Sequence, residues 1–520
     1  MMPSWVCLQV RREAGTISMY KKILVANRGE IAVRIIRACH ELGVTAATIY
    51  SEADRESLHV RFADEAYLIG PPPAAESYLN QDKIVALAKE IRAKAIHPGY
   101  GFLAENSSFA ALCEKENVDF IGPPSSAIRK MGDKILARAI MKEAGVPAIP
   151  GSEAMADIDA LKREAKRLGY PVIIKAAAGG GGKGMRLVHE ERELEAFFRE
   201  ARQEAKSFFS DERVYLEKYF LKPRHVEMQI LGDKEGRMVY LGERECTLQR
   251  RHQKVVEEAP SVVMDEKLRA RMGEIAVHAA QAAGYFNAGT VEFLVDADRN
   301  FYFLEMNTRL QVEHPVTELT TGLDLVKEQI HISLGHPLKY RQEEIRIRGS
   351  AIECRIYAED PEMDFLPSPG IVRIYRRPGG PGIRIDSGAY DGYEVPIHYD
   401  PLIAKVIAWG SSRDEAIQRM ARGLGEYSVG GIKTTIPFLK GIIESKLFKE
   451  GNFHTGSLAD ILREARPDFR AQEPLPAILA GALSYHESVK KKSEIVRGSS
   501  QGDWNPWKMS GRLSRMRKMV

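Results

Sequence analysis

The sequence predicts a multi-domain protein of the α/β and α+β classes, with a doubly wound parallel α/β domain at its N-terminal end. Near the start, short buried strands alternate with amphipathic helical stretches, which is typical of parallel sheets. In the middle, long antiparallel-looking strands follow a glycine-rich turn, and a strand-rich region with Pro/Gly turns comes last. The chain has 520 residues, which is too many for a single hydrophobic core. We therefore expect roughly two to four domains.

The N-terminal domain is predicted over residues 19–132, because residues 1–18 are polar and irregular and are expected to be a disordered or artefactual extension. An amphipathic helix from Glu30 to Leu42 is stopped by Gly43. The turn after the first strand, residues 27–30, lacks GxGxxG, so a dinucleotide fingerprint is excluded. The predicted strands cover residues 22–27, 44–50, 95–97 and 119–122.

A glycine-rich hairpin in the middle of the chain is typical of a nucleotide lid. Lys175 ends a buried strand, and consecutive glycines follow at 179–182. Such glycines let the backbone approach a phosphate chain and donate N–H groups to it; a merely flexible turn is the alternative. GxxxxGK[ST] is missing, so this is not a Walker loop. We predict a lid over residues 148–220, with Lys134 as a second phosphate-binding candidate.

An apolar strand over residues 214–220 ends in the charged pair Glu217 and Lys218. This position suits hydrogen bonds to the edge of an adenine ring that lies between apolar neighbours. A plain surface ion pair is the alternative interpretation.

Two strands further on predict a metal site. Strand 290–295 and the strand that begins at Phe301 are joined by a four-residue loop, which sets Glu292 opposite Glu305. Two carboxylates so close together, with an amide oxygen nearby, are suitable ligands for Mg²⁺ or Mn²⁺. If the segment stays extended, its odd-numbered polar residues line one wall; the alternative is a solvated strand face. Those residues are Glu305, Asn307, Arg309, Gln311 and Glu313.

A dense basic segment precedes the metal strands. Residues 250–254 hold two arginines, a histidine and a lysine, which suits a small anion such as phosphate or bicarbonate; a solvated face is the alternative. Cys246 either forms a thiol–ammonium pair with Lys254 or is a buried structural thiol.

The bulk properties exclude several classes of protein. Nine of the basic residues lie in residues 490–520, so the body of the chain has no basic field of the size that nucleic acid needs. No apolar run is long enough to cross a bilayer. Five cysteines without CxxC spacing favour a reducing cytoplasm and free thiols. We therefore expect a cytoplasmic protein that binds neither nucleic acid nor membrane.

Taken together, these motifs resemble the biotin carboxylases of the ATP-grasp superfamily. The resemblance covers about residues 20–460 and implies a central ATP-grasp domain over 133–340 with a mobile lid and a strand-rich C-terminal domain over 350–462. It also implies carboxylation of biotin by bicarbonate and Mg-ATP through carboxyphosphate, giving N-carboxybiotin, ADP and phosphate. It rests on ANRGEIA at 26–32, HPGYGFLAEN at 97–106, RRHQKV at 250–255, EMNTRLQVEHPVTE at 305–318 and FLPSPG at 365–370.

The resemblance assigns roles to individual residues. Mg²⁺ or Mn²⁺ would be held by Glu292, Glu305 and Asn307. Bicarbonate would be held by Lys254, Arg309, Gln311 and Val312, with Glu313 as its general base. Biotin would be bound by Arg355, with Tyr100 and Gln249 completing the pocket. ATP would be bound by Lys134, Lys175, Gly181, Gly182, Glu217, Lys218, Tyr219, Phe220, His225 and His252.

The resemblance also implies partners. No Ala-Met-Lys-Met turn is present, so we expect biotin to arrive on a separate biotin carboxyl carrier protein and to pass its carboxyl group to a carboxyltransferase subunit. The basic tail, residues 463–520, is either a docking segment for these partners or a disordered end. A homodimer is implied. Acetyl-CoA, propionyl-CoA and pyruvate all stay open as final acceptors, and the alternatives in function are another ATP-grasp ligase and a catalytically silent regulatory subunit.

Overall fold

Short apolar runs build a five-stranded parallel sheet at the start of the chain, with Ile23, Leu24 and Val25 fully buried. The computed structural model describes residues 19–464, except 154, 156, 177–184, 210, 211 and 252 and the side chains of 134, 135, 208, 209 and 464. The strands are β1 (Lys22–Val25), β2 (Thr45–Ser51), β3 (Glu65–Gly70), β4 (Ala95–His97) and β5 (Asp119–Phe120). The helices are α1 (Gly29–Glu41), α2 (Leu58–Phe62), α3 (Gln81–Glu90), α4 (Ser107–Lys115) and α5 (Ser125–Gly132).

The strand order β3-β2-β1-β4-β5, with every pairing parallel, confirms the predicted doubly wound sheet. Helix α1 ends at Glu41, and Gly43 follows with φ +70°, a conformation that favours glycine and explains the stop. Strand β3 was not predicted, because it lies at the edge of the sheet and several of its residues are exposed.

A small antiparallel sheet of order β7-β6-β8 forms the next unit, and helices α7 and α8 pack against it. Val172 of β6 pairs with Val188 of β7, so the predicted hairpin exists, although its glycines at 177–184 lie outside the described residues. The elements are α6 (Lys134–Glu143), α7 (Ile158–Leu168), β6 (Val172–Ala176), β7 (Arg186–Val188), α8 (Glu191–Phe209) and β8 (Val214–Lys218).

The largest sheet has eight antiparallel strands in the order β13-β12-β9-β10-β11-β14-β21-β19. Its first part comes from the middle of the chain and is covered by α9 on one side. The elements are β9 (Arg224–Gly232), β10 (Met238–Arg250), β11 (Gln253–Ala259), α9 (Glu266–Ala283), β12 (Asn287–Val295), β13 (Phe301–Asn307), α10 (His314–Thr321) and α11 (Leu325–Ser333).

The strand-rich C-terminal region continues that same sheet, because β14 pairs directly with β11. Its further strands are β14 (Ser350–Tyr357), β15 (Glu359–Asp360), β16 (Leu366–Pro367), β17 (Gly370–Ile371), β18 (Ile374–Arg376), β19 (Ile383–Ser387), β20 (Glu394–Val395), β21 (Leu402–Gly410) and β22 (Ser428–Gly430). Its helices are α12 (Arg413–Glu426), α13 (Ile436–Glu444), α14 (Lys446–Lys449) and α15 (Leu458–Glu464). Among the residues that the structure describes, no helix is both long and apolar enough to span a bilayer.

Candidate active site

A cavity of about 360 Å³ lies between the small sheet and strand β13 of the large one. Its volume is in the range of small-molecule sites, and both charged and apolar side chains line its walls. The residues that line it include Glu105, Met131, Arg138, Ile149, Lys175, Tyr215, Glu217, Phe303, Glu305, Met306, Asn307 and Thr308.

Glu217 organises the lid side of this cavity. Its nearly buried carboxylate accepts hydrogen bonds from Arg138 and from Lys175, the lysine predicted at the end of the strand. The Lys218 side chain turns away, and its Nζ donates to the carbonyl oxygens of Gly169 at 2.7 Å and Tyr170 at 3.2 Å. The cations that face the cavity are therefore Arg138 and Lys175. The Lys218 side chain does not face it, so only the Lys218 backbone is left for a ligand on that side.

An aromatic pair lies next to β8. The ring of Phe220 stacks on that of Tyr302, with centroids 4.8 Å apart. The backbone N–H of Tyr219 donates to the carbonyl oxygen of Pro171 at 3.1 Å. These contacts join the lid segment to strand β13.

The β12–β13 hairpin has the predicted register, with Glu292 directly opposite Glu305. The Asp296 carboxylate accepts hydrogen bonds from the backbone N–H groups of Asp298 and Asn300, at 3.0 and 2.9 Å, and so closes the loop. A register shift beside Glu292 leaves one extra residue in β13.

The expectation that the strand runs on to Glu313 was wrong, because β13 ends at Asn307. Glu105 is the physical reason, since its carboxylate accepts from the backbone N–H of Thr308 at 3.0 Å and from Nε of Arg309 at 2.8 Å. The side chains still meet: the Arg309 guanidinium donates to Asn307 Oδ1 at 3.2 Å and to Gln311 Oε1 at 2.7 Å.

Glu292 is the centre of a buried polar network. It accepts hydrogen bonds from Asn307 Nδ2 at 2.8 Å and Gln311 Nε2 at 3.2 Å, and it forms ion pairs at 2.8 Å with Lys254 and with His225. Burial alone would raise the pKa of Glu292, but Lys254 and His225 lower it well below its usual range. The carboxylate is therefore ionised at neutral pH.

Lys254 lies among three buried carboxylates. Its Nζ is 2.6 Å from Glu227, 2.8 Å from Glu292 and 2.7 Å from Glu313. Burial would lower the pKa of Lys254, and these acids raise it well above its usual range. The lysine keeps its charge, so it is a fixed cation on the floor of the site.

Glu313 connects Lys254 to Arg355, whose Nη2 is 2.8 Å from Glu313 Oε2. The Cys246 thiol is 3.8 Å from Glu313 Oε1, and burial raises its pKa well above its usual range. The thiol is therefore protonated, which supports the buried-thiol interpretation rather than a reactive thiol–ammonium pair.

The basic segment divides between two places. Arg250 pairs with Glu359 at 3.1 Å and lies over the ring of Phe365, while the exposed Arg251 pairs with Asp364 at 2.8 Å. The prediction of one dense anion site was wrong for these two arginines, because the tight β10–β11 turn directs them toward the C-terminal region. Lys254 alone of the three cations reaches the acidic cluster.

Two further predicted residues lie on the rim of this network. The Gln249 side chain contacts His225 Nδ1 at 2.9 Å, and its Nε2 donates to the carbonyl oxygen of Cys246 at 2.8 Å. The Tyr100 hydroxyl donates to Glu30 of helix α1. Both residues therefore lie beside groups that contact the buried charges.

Lys405 joins three parts of the chain. Its Nζ donates to the carbonyl oxygen of Val312 at 2.7 Å and pairs with Glu30 at 3.2 Å. Helix α1 of the N-terminal region is thereby linked to the segment that carries Glu313.

Known proteins resemble this chain along most of its length. Models of the biotin carboxylase N-terminal domain, the carbamoyl-phosphate synthase L chain ATP binding domain and the biotin carboxylase C-terminal domain match residues 19–128, 133–341 and 353–460. Biotin carboxylase 1 of Bacillus subtilis is 54% identical over 439 residues, or 84% of this chain and 98% of the relative. A pyruvate carboxylase subunit from Methanothermobacter thermautotrophicus is 55% identical over 438 residues, or 84% and 89%. The chain belongs to the biotin carboxylase family.

A solved structure extends the likeness to three dimensions. It is the biotin carboxylase domain dimer of 2-oxoglutarate carboxylase from Hydrogenobacter thermophilus, in complex with MgADP, ADP and bicarbonate. It is 50% identical and gives a TM-score of 0.80 over 86% of this chain and 99% of that one. As a biotin carboxylase, the chain is an ATP-dependent ligase, and the predicted fold class is confirmed.

The biotin carboxylase residues that fit a divalent cation are Glu292, Glu305 and Asn307. Glu305 and Asn307 line the cavity, and Glu292 is the cross-strand neighbour of Glu305. Carboxylate and amide oxygens are the donors that Mg²⁺ prefers, so the donor set fits the metal.

Some predicted residues lie outside the described part of the chain. They are Gly181, Gly182, His252 and the side chain of Lys134.

Other residues of the site were missed by the sequence reasoning. The alternation of apolar and polar residues in β9, from His225 through Glu227 to Gln229, was a signal that could have identified Glu227. Arg138 and Glu105 had no such signal, because each acts from another element.

Proposed function

We propose that this biotin carboxylase carboxylates carrier-bound biotin as one component of a multi-subunit carboxylase, using ATP and bicarbonate at the site described above. The observation that carries the assignment of residues is Glu313, buried between Lys254 at 2.7 Å and Arg355 at 2.8 Å. Asn307, which lines the cavity and donates to Glu292 at 2.8 Å, connects this cluster to the cavity. A base between two cations suits a reaction in which an anion loses a proton.

The bicarbonate position is assigned to Lys254, Arg309, Gln311 and the backbone of Val312. Its support is the guanidinium of Arg309, 2.7 Å from Gln311 and close to the Glu292 network, so an anion there meets two cations and an amide. Removal of the second proton from bicarbonate leaves a dianion, which these cations stabilise.

Glu313 is assigned as the base that takes this proton. Burial would raise the pKa of Glu313, but Lys254, Arg355 and Arg244 lower it well below its usual range. It is therefore ionised at neutral pH but a weak base while both cations hold it, and bicarbonate bound to Lys254 would compete for one of the cations that keep its pKa low. The deprotonated bicarbonate oxygen then attacks the γ-phosphorus of ATP, giving carboxyphosphate and ADP.

The ATP position is assigned to the cavity. Lys175 faces the cavity from β6, where its ammonium group pairs with Glu217. When ATP binds, Lys175 would exchange this carboxylate for a phosphate group, which carries more negative charge. Mg²⁺ held by Glu292, Glu305 and Asn307 would neutralise phosphate charge. The remaining ATP contacts are assigned by family resemblance to Lys134, Gly181, Gly182, Lys218, Tyr219, Phe220, His225 and His252.

Biotin is assigned to Arg355, with Tyr100 and Gln249 nearby. The support is the Nε of Arg355, which is buried and donates to none of the described residues. A buried donor without an acceptor is costly, and a ureido oxygen of biotin would satisfy it.

The test is ADP release by the purified chain with Mg-ATP and bicarbonate, with and without high concentrations of free biotin. We expect biotin to stimulate ADP release and Arg309→Ala to abolish the stimulation. The matched control is Arg251→Ala, which removes an arginine whose side chain is 71% exposed and should leave the rate unchanged. ATP turnover that ignores both biotin and bicarbonate would contradict the proposal.

The proposed partners are a second copy of this chain, a separate biotin carboxyl carrier protein and a carboxyltransferase subunit. The M. thermautotrophicus relative is named as one subunit of its enzyme, and the H. thermophilus structure is described as a dimer. Those two proteins belong to pyruvate and 2-oxoglutarate carboxylases, so the final acceptor differs among relatives. Light scattering of the purified chain should give the mass of a dimer.

A further inference from the structure

Two buried carboxylates lie opposite each other beside Arg355. Glu257 of β11 and Glu353 of β14 are direct cross-strand partners, and both are fully buried. Such partners hold their Cβ atoms roughly 5 Å apart on one face of a sheet. Arg355 follows Glu353 by two residues, so its side chain lies on that same face.

The carboxylates of Glu257 and Glu353 have few cations and hydrogen-bond donors close enough to stabilise a negative charge on both. Three of the four carboxylate oxygens, Oε2 of Glu257 and both of Glu353, accept no hydrogen bond from the described residues. The close charge is Arg355, whose Nη2 is 2.6 Å from Glu257 Oε1 and is shared with Glu313 at 2.8 Å. One guanidinium therefore pairs with two carboxylates and acts on the third, Glu353, at longer range.

The other neighbouring cations form their ion pairs with other acids, although Lys405 also acts on Glu353 at longer range. Lys254 of β11 pairs with Glu227, Glu292 and Glu313, and Lys405 of β21 pairs with Glu30. The titratable and charged groups that act on the pair or on Arg355 are Lys254, Lys405, Arg355, Tyr100, Tyr357, Glu313, Cys246 and Cys354. Burial raises the pKa of Glu257 to about 7 and that of Glu353 well above its usual range.

We propose that Glu257 and Glu353 share one proton at neutral pH and act as a positioning pair for Arg355, the residue assigned above to biotin. This inference rests on the proposed function. With one proton, the pair carries a single negative charge, which fixes one edge of the guanidinium through Glu257. The Nε donor of Arg355 is left for the substrate.

Loss of the shared proton adds a second negative charge beside Arg355. The guanidinium is then held more strongly by the pair, because like carboxylates in a buried site compete for the nearest cation. Binding of biotin would weaken, while bicarbonate and ATP are held by other residues; Arg355 acts on their chemistry only through its contact with Glu313 at 2.8 Å. The pair therefore predicts a rise in the KM for biotin as the pH rises above neutrality, with a smaller change in kcat.

The first test measures KM for biotin and kcat between pH 6 and pH 9 in wild type, Glu353→Gln and Glu257→Gln. We expect the wild-type KM to rise by up to about tenfold per pH unit above the pKa of the pair. Each variant keeps only one acid, so no second charge can form and its KM should stay flat. The use of two variants guards against one of them failing to fold.

The matched control is Glu258→Gln. Glu258 is as buried as its neighbour in β11 but faces the other side of the sheet, where Arg413 pairs with it at 2.7 Å. It should keep the wild-type pH dependence. The same KM profile in wild type and in both pair variants, or a flat profile in the Glu258 control, would overturn the inference.

The closing experiment is independent of turnover. The infrared difference spectrum between wild type and Glu353→Gln at pH 7 should contain the C=O band of a protonated buried carboxylic acid. Absence of that band would overturn the shared proton even in an active enzyme. Its presence in a chain that fails to respond to biotin would support the pair and count against the proposed function instead.

Discussion

Lys254 shows most clearly how single side chains determine the site. Its one charge is shared among three buried carboxylates at 2.6–2.8 Å, so it is needed for folding as well as for the proposed reaction. A buried ion pair contributes little net stability, but removal of one partner leaves an uncompensated charge.

We therefore expect Lys254→Ala to lower the free energy of unfolding by roughly 3–5 kcal/mol and to abolish ADP release. Denaturant unfolding at pH 7 measures the first effect. The matched control is Lys446→Ala, because Lys446 is 73% exposed and its contact with Glu450 is 3.8 Å long. Equal stability of the two variants would contradict the role given to Lys254.

Residue identities were predictable at this scale where strand periodicity indicated them. The pairing of Glu292 with Glu305 followed from the length of one loop, and the structure has it. The directions of Arg250 and Arg251 were not predictable, because they depend on Glu359 and Asp364, more than 100 residues away. Long-range partners determine where flexible cations point, and no local pattern contains that information.

Among the elements, helix α1 and the end of strand β19 pack unusually closely. A Cβ atom added to Gly388 would lie 3.0 Å from the backbone nitrogen of Glu30 and 3.0 Å from the carbonyl carbon of Gly29. Both are backbone atoms of the first turn of α1, so they cannot move without shifting the helix. Glu30 in turn pairs with Lys405.

Gly388→Ala should therefore cost roughly 1–3 kcal/mol of stability and reduce ADP release, because the helix start is displaced. Thermal unfolding and the ADP assay measure the two effects. Gly425 in helix α12 has no atom within 4 Å of an added Cβ, so Gly425→Ala should instead stabilise by about 0.5–1 kcal/mol. A harmless Gly388→Ala would show that α1 tolerates the shift.

The elements themselves were largely predictable. Helix α1 and the parallel strands beside it follow from hydrophobic periodicity and from Gly43. The end of β13 at Asn307 was not predictable. It depends on Glu105, which lies far away in the sequence and accepts a hydrogen bond from the backbone N–H of Thr308.

On the scale of the whole molecule, ligand binding and folding are linked, since a ligand that binds only the folded state stabilises it. With Mg-ADP at 100 times its Kd, we expect a gain of about 2.7 kcal/mol. EDTA should remove part of this gain, because Glu292, Glu305 and Asn307 would hold the metal and the metal would neutralise phosphate charge. Thermal shift measurements with ADP, Mg-ADP and EDTA test this. In Glu305→Gln the difference between ADP and Mg-ADP should shrink, whereas Glu362→Gln, with a side chain 62% exposed, should behave as wild type.

The sheet that runs through β11 and β14 has a consequence for how the gene can be divided. A cut in the connection after α11 would give two polypeptides, one with β11 and the other with β14 as an unpaired edge strand. The backbone hydrogen-bonding groups of these two edges are complementary. Either fragment alone would present that edge to its own copies and aggregate. If the two fragments are produced in the same cell, β11 of one would pair with β14 of the other and restore the sheet. The molecule is therefore suited to split-enzyme complementation.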